Sequence, residues 1–157
     1  DKLGLTAPPE GGYYRRTYEA SPEVPGECLP EGYESSRRLS SAIVFLLPAE
    51  EVSRLHRLRA DEMWHFYRGS TLDLHVFDPP NGYRKVQLGN DPLSGETPQH
   101  LVSGGDWFGA TVEEGYALLG CTVTPGFQFE DFQLAERGPL VEAFPDREPL
   151  IRRLTRE

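Results

Sequence analysis

Cysteine, methionine and histidine are scarce in this chain, whose 157 residues hold two Cys, one Met and four His. Two cysteines allow at most one disulfide, which excludes the stapled framework of a small secreted domain. Cys28 lies in a Pro/Gly-rich loop and Cys121 in an apolar run; both read as reduced thiols, Cys121 as a small buried apolar residue. No apolar run nears the roughly 20 residues of a membrane span, and no signal peptide opens the sequence, so the cytoplasm is the default location. Positive charge is also short, with 16 Lys plus Arg against 25 Asp plus Glu and a net charge of -9. A field of that sign repels phosphate backbones and anionic lipid, which removes nucleic acid and membranes from the expected partners.

What the chain does have is turns. Sixteen Gly and fourteen Pro are more than a helical bundle tolerates. Short segments of strand character recur at Gly11 to Ala20, Ser40 to Leu47, Glu62 to Tyr67, Leu72 to Phe77, Arg84 to Leu88, Gln99 to Ser103, Trp107 to Thr111 and Tyr116 to Val123. Turn signals such as Pro79-Pro80-Asn81-Gly82 and Gly104-Gly105 separate them, the pattern of an all-β barrel or sandwich. Ser40 to Leu47 ends at Pro48 and is apolar throughout its middle, which predicts a strand buried on both faces. Pro22 to Ser36 has no apolar period and predicts a mobile surface loop or lid, while the stretch after Pro149 predicts a short helix packed outside. The length suits one domain spanning residues 1–157.

The stretch Ser53 to Gly69, SRLHRLRADEMWHFYRG, concentrates the chemistry. In extended backbone His56 and Leu58 share a face, as do Glu62, Trp64 and Phe66 on the next strand. Arg54, two residues before His56, should face the same way and meet an anion or carbonyl, or else reach water at the strand end. His65 should point away from Glu62 unless a β-bulge brings it inside. His75 and His100 are assigned to the surface or the outer sheet.

Several blocks together resemble one family. They are Pro9-Glu10-Gly11-Gly12-Tyr13-Tyr14-Arg15, Ser41 to Leu47, Ser53-Arg54-Leu55-His56-Arg57, Asp61 to Tyr67 and Gly120 to Phe127, and they are similar in order and spacing to the DUF985 branch of the cupins. The resemblance implies a jelly-roll β-barrel with short peripheral helices, usually a homodimer, similar in shape to sugar-nucleotide epimerases and germins. It places the faces bearing His56 and Glu62 inside the barrel and shares Ser53, His56, Glu62, Trp64, His65 and Trp107 with the family. The full cupin pattern has a second histidine where this chain has Leu58, and a third in the stretch Ser103 to Phe108, where Trp107 or Phe108 stands instead. Phe108 also replaces a glutamine frequent in the family.

What remains is a cavity walled by Trp64, Phe66 and Trp107 or Phe108, with Ser53, Arg54, His56, Glu62 and His65 as polar groups: the form of a small-molecule site. The leading reading is a sugar-like or nucleotide-sugar-like ligand and a metal-independent isomerase or epimerase, with His56 as base, Glu62 orienting its imidazole, and Arg54 or His65 as donor to the developing enolate. Binding without chemistry is the alternative. A second alternative is a metal-dependent oxygenase or isomerase on His56, Glu62 and a bulge-positioned His65, although metals of this kind want three or four protein ligands.

Overall fold

The computed structural model describes residues 2–156. Two five-stranded antiparallel sheets form the barrel. The first runs in the order β1 (Tyr13–Glu19), β4 (Ser41–Pro48), β11 (Tyr116–Thr124), β6 (Asp61–Gly69), β9 (Gln99–Val102). The second runs β12 (Phe132–Leu134), β5 (Val52–Leu58), β10 (Trp107–Val112), β7 (Leu72–Asp78), β8 (Gly82–Leu88). A two-stranded ribbon, β2 (Glu23–Val24) with β3 (Arg37–Arg38), lies beside them. Period-two alternation places Phe45, Leu47, Trp64, Phe66, Leu74, Val76, Phe108, Leu119 and Cys121 in the core between the sheets.

The outer face of the second sheet is buried too. Helices α1 (Arg137–Ala143) and α2 (Glu148–Arg153) lay Leu140 and Ile151, with Leu154 just beyond, against Leu55 and Phe77. The helix after Pro149 is therefore present; α1, with Gly138-Pro139 in its first turn, carries too short an apolar stripe to be read from sequence. His75 sits on this outer face but is buried, with Nδ1 on the Tyr83 hydroxyl at 3.0 Å and Nε2 on the Thr111 hydroxyl at 2.9 Å.

Two expectations are corrected. The β4 strand is buried on its inner face and only half-buried at Ala42, Val44 and Leu46, because no described layer covers the outer face of the first sheet. The loop 22–36 is not a free lid. It ends at Arg37, a residue 2% exposed, whose guanidinium grips Asp131 through Nε at 2.7 Å and Nη2 at 2.8 Å. The same group donates to the backbone carbonyls of Ser35 and Ser36, and stacks 5.2 Å from the Tyr33 ring. The loop thus clamps the segment around residue 131, and no loop side chain lines the cavity described next.

Candidate functional site

A narrow cavity enters the barrel between residues 8–16 on one side and 127–132 on the other. The turn 59–60 carries the chain from β5 in the second sheet to β6 in the first, so His56 and Glu62 line this cavity from opposite sheets. Around them stand Tyr14, Ile43, Leu58, Val123, Phe127 and Phe132, with Phe129 exposed at the rim. The volume open to the centre of a water molecule is about 50 Å³, room for a few waters. Beyond it a recess of about 20 Å³, about one water, is bounded by Glu10, Ser53, His56, Glu62, Trp64 and Cys121.

The imidazole of His56 lies between Phe108, at 4.2 Å between ring centroids, and Phe132, at 5.3 Å. Its Nδ1 donates to the Arg54 carbonyl at 2.7 Å, which fixes the tautomer and leaves Nε2 with a free lone pair. Burial pushes the imidazole pKa down to about 4, the bond to Arg54 offsetting part of the shift. The backbone of β5, rather than Glu62, therefore orients the ring.

Burial pushes Glu62 the other way, to about 8, and the neighbouring charge of Glu10 adds to the rise. The Cys121 thiol and Trp64 indole approach the carboxyl and temper the shift. Neither satisfies it: Oε2 of Glu62 and Nε1 of Trp64 are both buried without a hydrogen-bond partner among the described residues. At neutral pH the site pairs a neutral imidazole with a neutral carboxylic acid. The Cys121 thiol is itself pushed well up, first by burial and then by Glu62, so it supplies no thiolate.

Not every expected residue reaches the cavity. A bulge in β5 sets Arg54 and Leu55 against the single residue Gly109, between the pairs Ser53–Ala110 and His56–Phe108. It keeps Ser53 and His56 both inward and turns Arg54 out, where its guanidinium reaches the Pro9 carbonyl at 3.3 Å. The β6 bulge falls at Tyr67, not at His65, so His65 stays on the outer face, bonded to Thr122 at 3.1 Å and Gln99 at 3.0 Å. Trp107 also faces outward, beneath the Arg57 guanidinium at 4.5 Å, whereas Phe108 faces in. Phe66 is in the core but does not line the cavity.

Glu10 is the polar residue that sequence reasoning missed. It precedes the first strand on a strap held by Arg54 N–H to the Glu10 carbonyl at 2.7 Å and Gly12 N–H to Glu51 at 3.0 Å. The run Pro8-Pro9-Glu10-Gly11-Gly12 carried the signal: Gly11 has φ +103°, and a Cβ there would stand 2.3 Å from the Val52 carbonyl oxygen. Gly11→Ala is expected to cost about 1–3 kcal/mol and to loosen Glu10. An unchanged melting temperature in thermal denaturation would overturn that account of the strap.

A metal fits these residues poorly. Leu58 and Phe108 offer no donor, His65 is on the other face, and the triad of His56, Glu62 and His65 is not formed. Among the described residues no three His, Cys, Asp or Glu are arranged to hold a metal ion.

Two antiparallel sheets closing on a His/Glu pair at their centre define a cupin-type barrel. A family profile described as "Cupin superfamily (DUF985)" matches residues 1–135, and the chain belongs to that family. A protein of Shewanella oneidensis is 39% identical, with 98% of this chain and 92% of that one covered and a TM-score of 0.86. A hypothetical protein from Leishmania major is 34% identical over 99% of this chain and 96% of that one, with a TM-score of 0.88. Oxalate decarboxylase from Bacillus subtilis shares the fold alone, at 15% identity and a TM-score of 0.57, covering 94% of this chain and 36% of that one. No curated protein is significantly similar. No helix among the described residues is long and apolar enough to cross a membrane.

Proposed function

We propose that the barrel binds a small, sugar-like oxygenated molecule and moves a proton on a carbon next to its carbonyl, without a metal. His56 Nε2 takes the proton and the Glu62 carboxylic acid faces the carbonyl oxygen. The observation that carries this reading is that His56, its Nδ1 engaged by the Arg54 carbonyl, and Glu62 line one narrow cavity from opposite sheets. Burial there holds the imidazole pKa down and the carboxyl pKa up, which leaves a lone pair on Nε2 and favours the protonated acid. Room for a few waters suits a two- or three-carbon oxygenated head, with Phe127, Phe129 and Phe132 beside it for an apolar face.

The test is hydrogen exchange into hydroxyacetone, dihydroxyacetone and glyceraldehyde in D2O, followed by proton NMR. The protein is expected to accelerate loss of the α-hydrogen signal of at least one, and His56→Ala to slow it by about 10²-fold or more. Exchange no faster than in buffer, or undiminished in His56→Ala, would remove the reaction.

A second reading, binding without chemistry, is favoured by the low basicity that burial gives His56. It predicts a ligand retained through purification and chemically unchanged. A homodimer accompanies either reading, supported by half-buried Val44 and Leu46 and exposed Tyr67 on the outer face of the first sheet. Sedimentation showing only monomer at micromolar concentration would exclude it.

A further inference from the structure

Proton abstraction next to a carbonyl moves an electron pair onto the carbonyl oxygen, and that oxygen needs donors. Arg54 points out of the barrel and His65 lies on the outer face, so neither supplies one. Among the described residues three buried side-chain atoms want a partner, and two of them, on Trp64 and Glu62, belong to residues that line one void; the third, Nε2 of His100, does not line it. The indole N–H of Trp64 is a donor only, and Trp64 is 2% exposed; the Glu62 side chain is 6% exposed with Oε2 unbonded. An unsatisfied buried polar group typically costs about 1–3 kcal/mol, so two of them beside one void call for an occupant.

That void is the inner recess. Its size admits one oxygen atom and little else, and both unpartnered groups belong to its wall, together with His56 and Ser53. The rest of the wall comes from Ile43, Phe45, Glu10 and Cys121; of these the Cys121 thiol approaches the Glu62 carboxyl but leaves Oε2 unbonded. Trp64 is held in place by edge-on contacts with Phe45 at 5.9 Å and Phe108 at 6.1 Å, which fix where its N–H points before a ligand arrives.

We propose that this recess is a single-oxygen subsite, in which the Trp64 indole N–H and the Glu62 carboxyl together hold the carbonyl oxygen of the ligand, a water standing there when no ligand is bound. This rests on the proton-transfer reading for its catalytic meaning. His56 Nε2 removes the proton from the adjacent carbon, the C–H pair becomes the C=C of the enolate, and the carbonyl π pair moves to the oxygen between Trp64 and Glu62. Return of the proton from His56 to the same carbon restores the ligand and exchanges its hydrogen with solvent; delivery to the former carbonyl carbon, as the proton of the ligand's adjacent hydroxyl passes to the oxygen between Trp64 and Glu62, completes an isomerisation with no other reactant. Ligands with a compact carbonyl or hydroxyl head enter; a carboxylate or phosphate head is too large for the recess.

The test combines crystallography of the whole chain, soaked with hydroxyacetone and unsoaked, with the exchange assay on Trp64→Phe, which keeps an aromatic ring and removes the N–H. Expected is one oxygen centre in the recess, about 2.7–3.2 Å from Trp64 Nε1, a water in the unsoaked crystal and the carbonyl oxygen in the soaked one. Expected also is about a 10²-fold slower exchange in Trp64→Phe. An empty recess, or a Trp64 N–H bonded directly to Glu62, would overturn the subsite whatever becomes of the variant. Exchange as fast in Trp64→Phe as in the unaltered protein would overturn its catalytic role and leave His56 chemistry standing. An oxygen in the recess of a protein that catalyses no exchange would keep the subsite and remove the reaction.

Discussion

Glu62→Gln is expected to stabilise the protein increasingly as pH rises, by about 1.4 kcal/mol per pH unit between roughly pH 4.5 and pH 8. The unfolded chain releases this proton near 4.5 and the folded one near 8, so over that interval the folded state binds more protons and loses stability as pH rises. The amide keeps the shape and cannot ionise, so the variant escapes the loss. The two histidines act with the opposite sign. His56 and His75 are each pushed down to about 4 by burial, so the unfolded chain binds more protons between about 4 and 6.5 and stability rises with pH there. Together the three groups place a stability maximum near pH 6.5. Urea denaturation of both proteins across pH 4.5 to 8.5 measures the difference, and parallel curves would show that Glu62 ionises normally in the fold.

Removing Arg37 is expected to have the second large effect. Arg37→Ala deletes both bonds to Asp131, itself buried, and strands a carboxylate that then has only Arg59 at 3.4 Å. Breaking a buried pair from one side costs about 3–5 kcal/mol, and the partial help of Arg59 puts this case near the lower bound. Because Asp131 precedes Phe132, the same change should loosen one wall of the cavity. A double variant with apolar residues, Arg37→Met with Asp131→Leu, should recover part of the loss. A fall below about 1 kcal/mol by urea titration would show that the clamp is ornamental.

The sequence carried the positions of His56 and Glu62 because strand periodicity and a resemblance in motif spacing converge on the same two side chains. It misplaced Arg54 because a bulge changes the parity of every residue on one side of it. The only local trace of that bulge is on the partner strand, where a Cβ on Gly109 would sit 2.7 Å from the Ser53 carbonyl oxygen. Trp107 and Phe108 could not be separated while the strand's register was free by one residue. Once β10 is paired with Phe108 against His56, Phe108 is the inward ring. Glu10 was hidden because a loop has no period from which to infer a facing direction. The apolar richness of β4 misled in the other direction, since half-exposed Val44 and Leu46 read as a doubly covered strand.

Under the proposed reading, the two neutral groups at the heart of the barrel also decide how the ligand finds it. The chain as a whole carries a net charge of -9, yet at pH 7 neither His56 nor Glu62 presents a charge to an approaching molecule. An uncharged ligand feels little of the external field, so its capture depends on diffusion and the fit of the mouth rather than on steering. Its association rate should then be nearly the same in dilute buffer as in physiological salt.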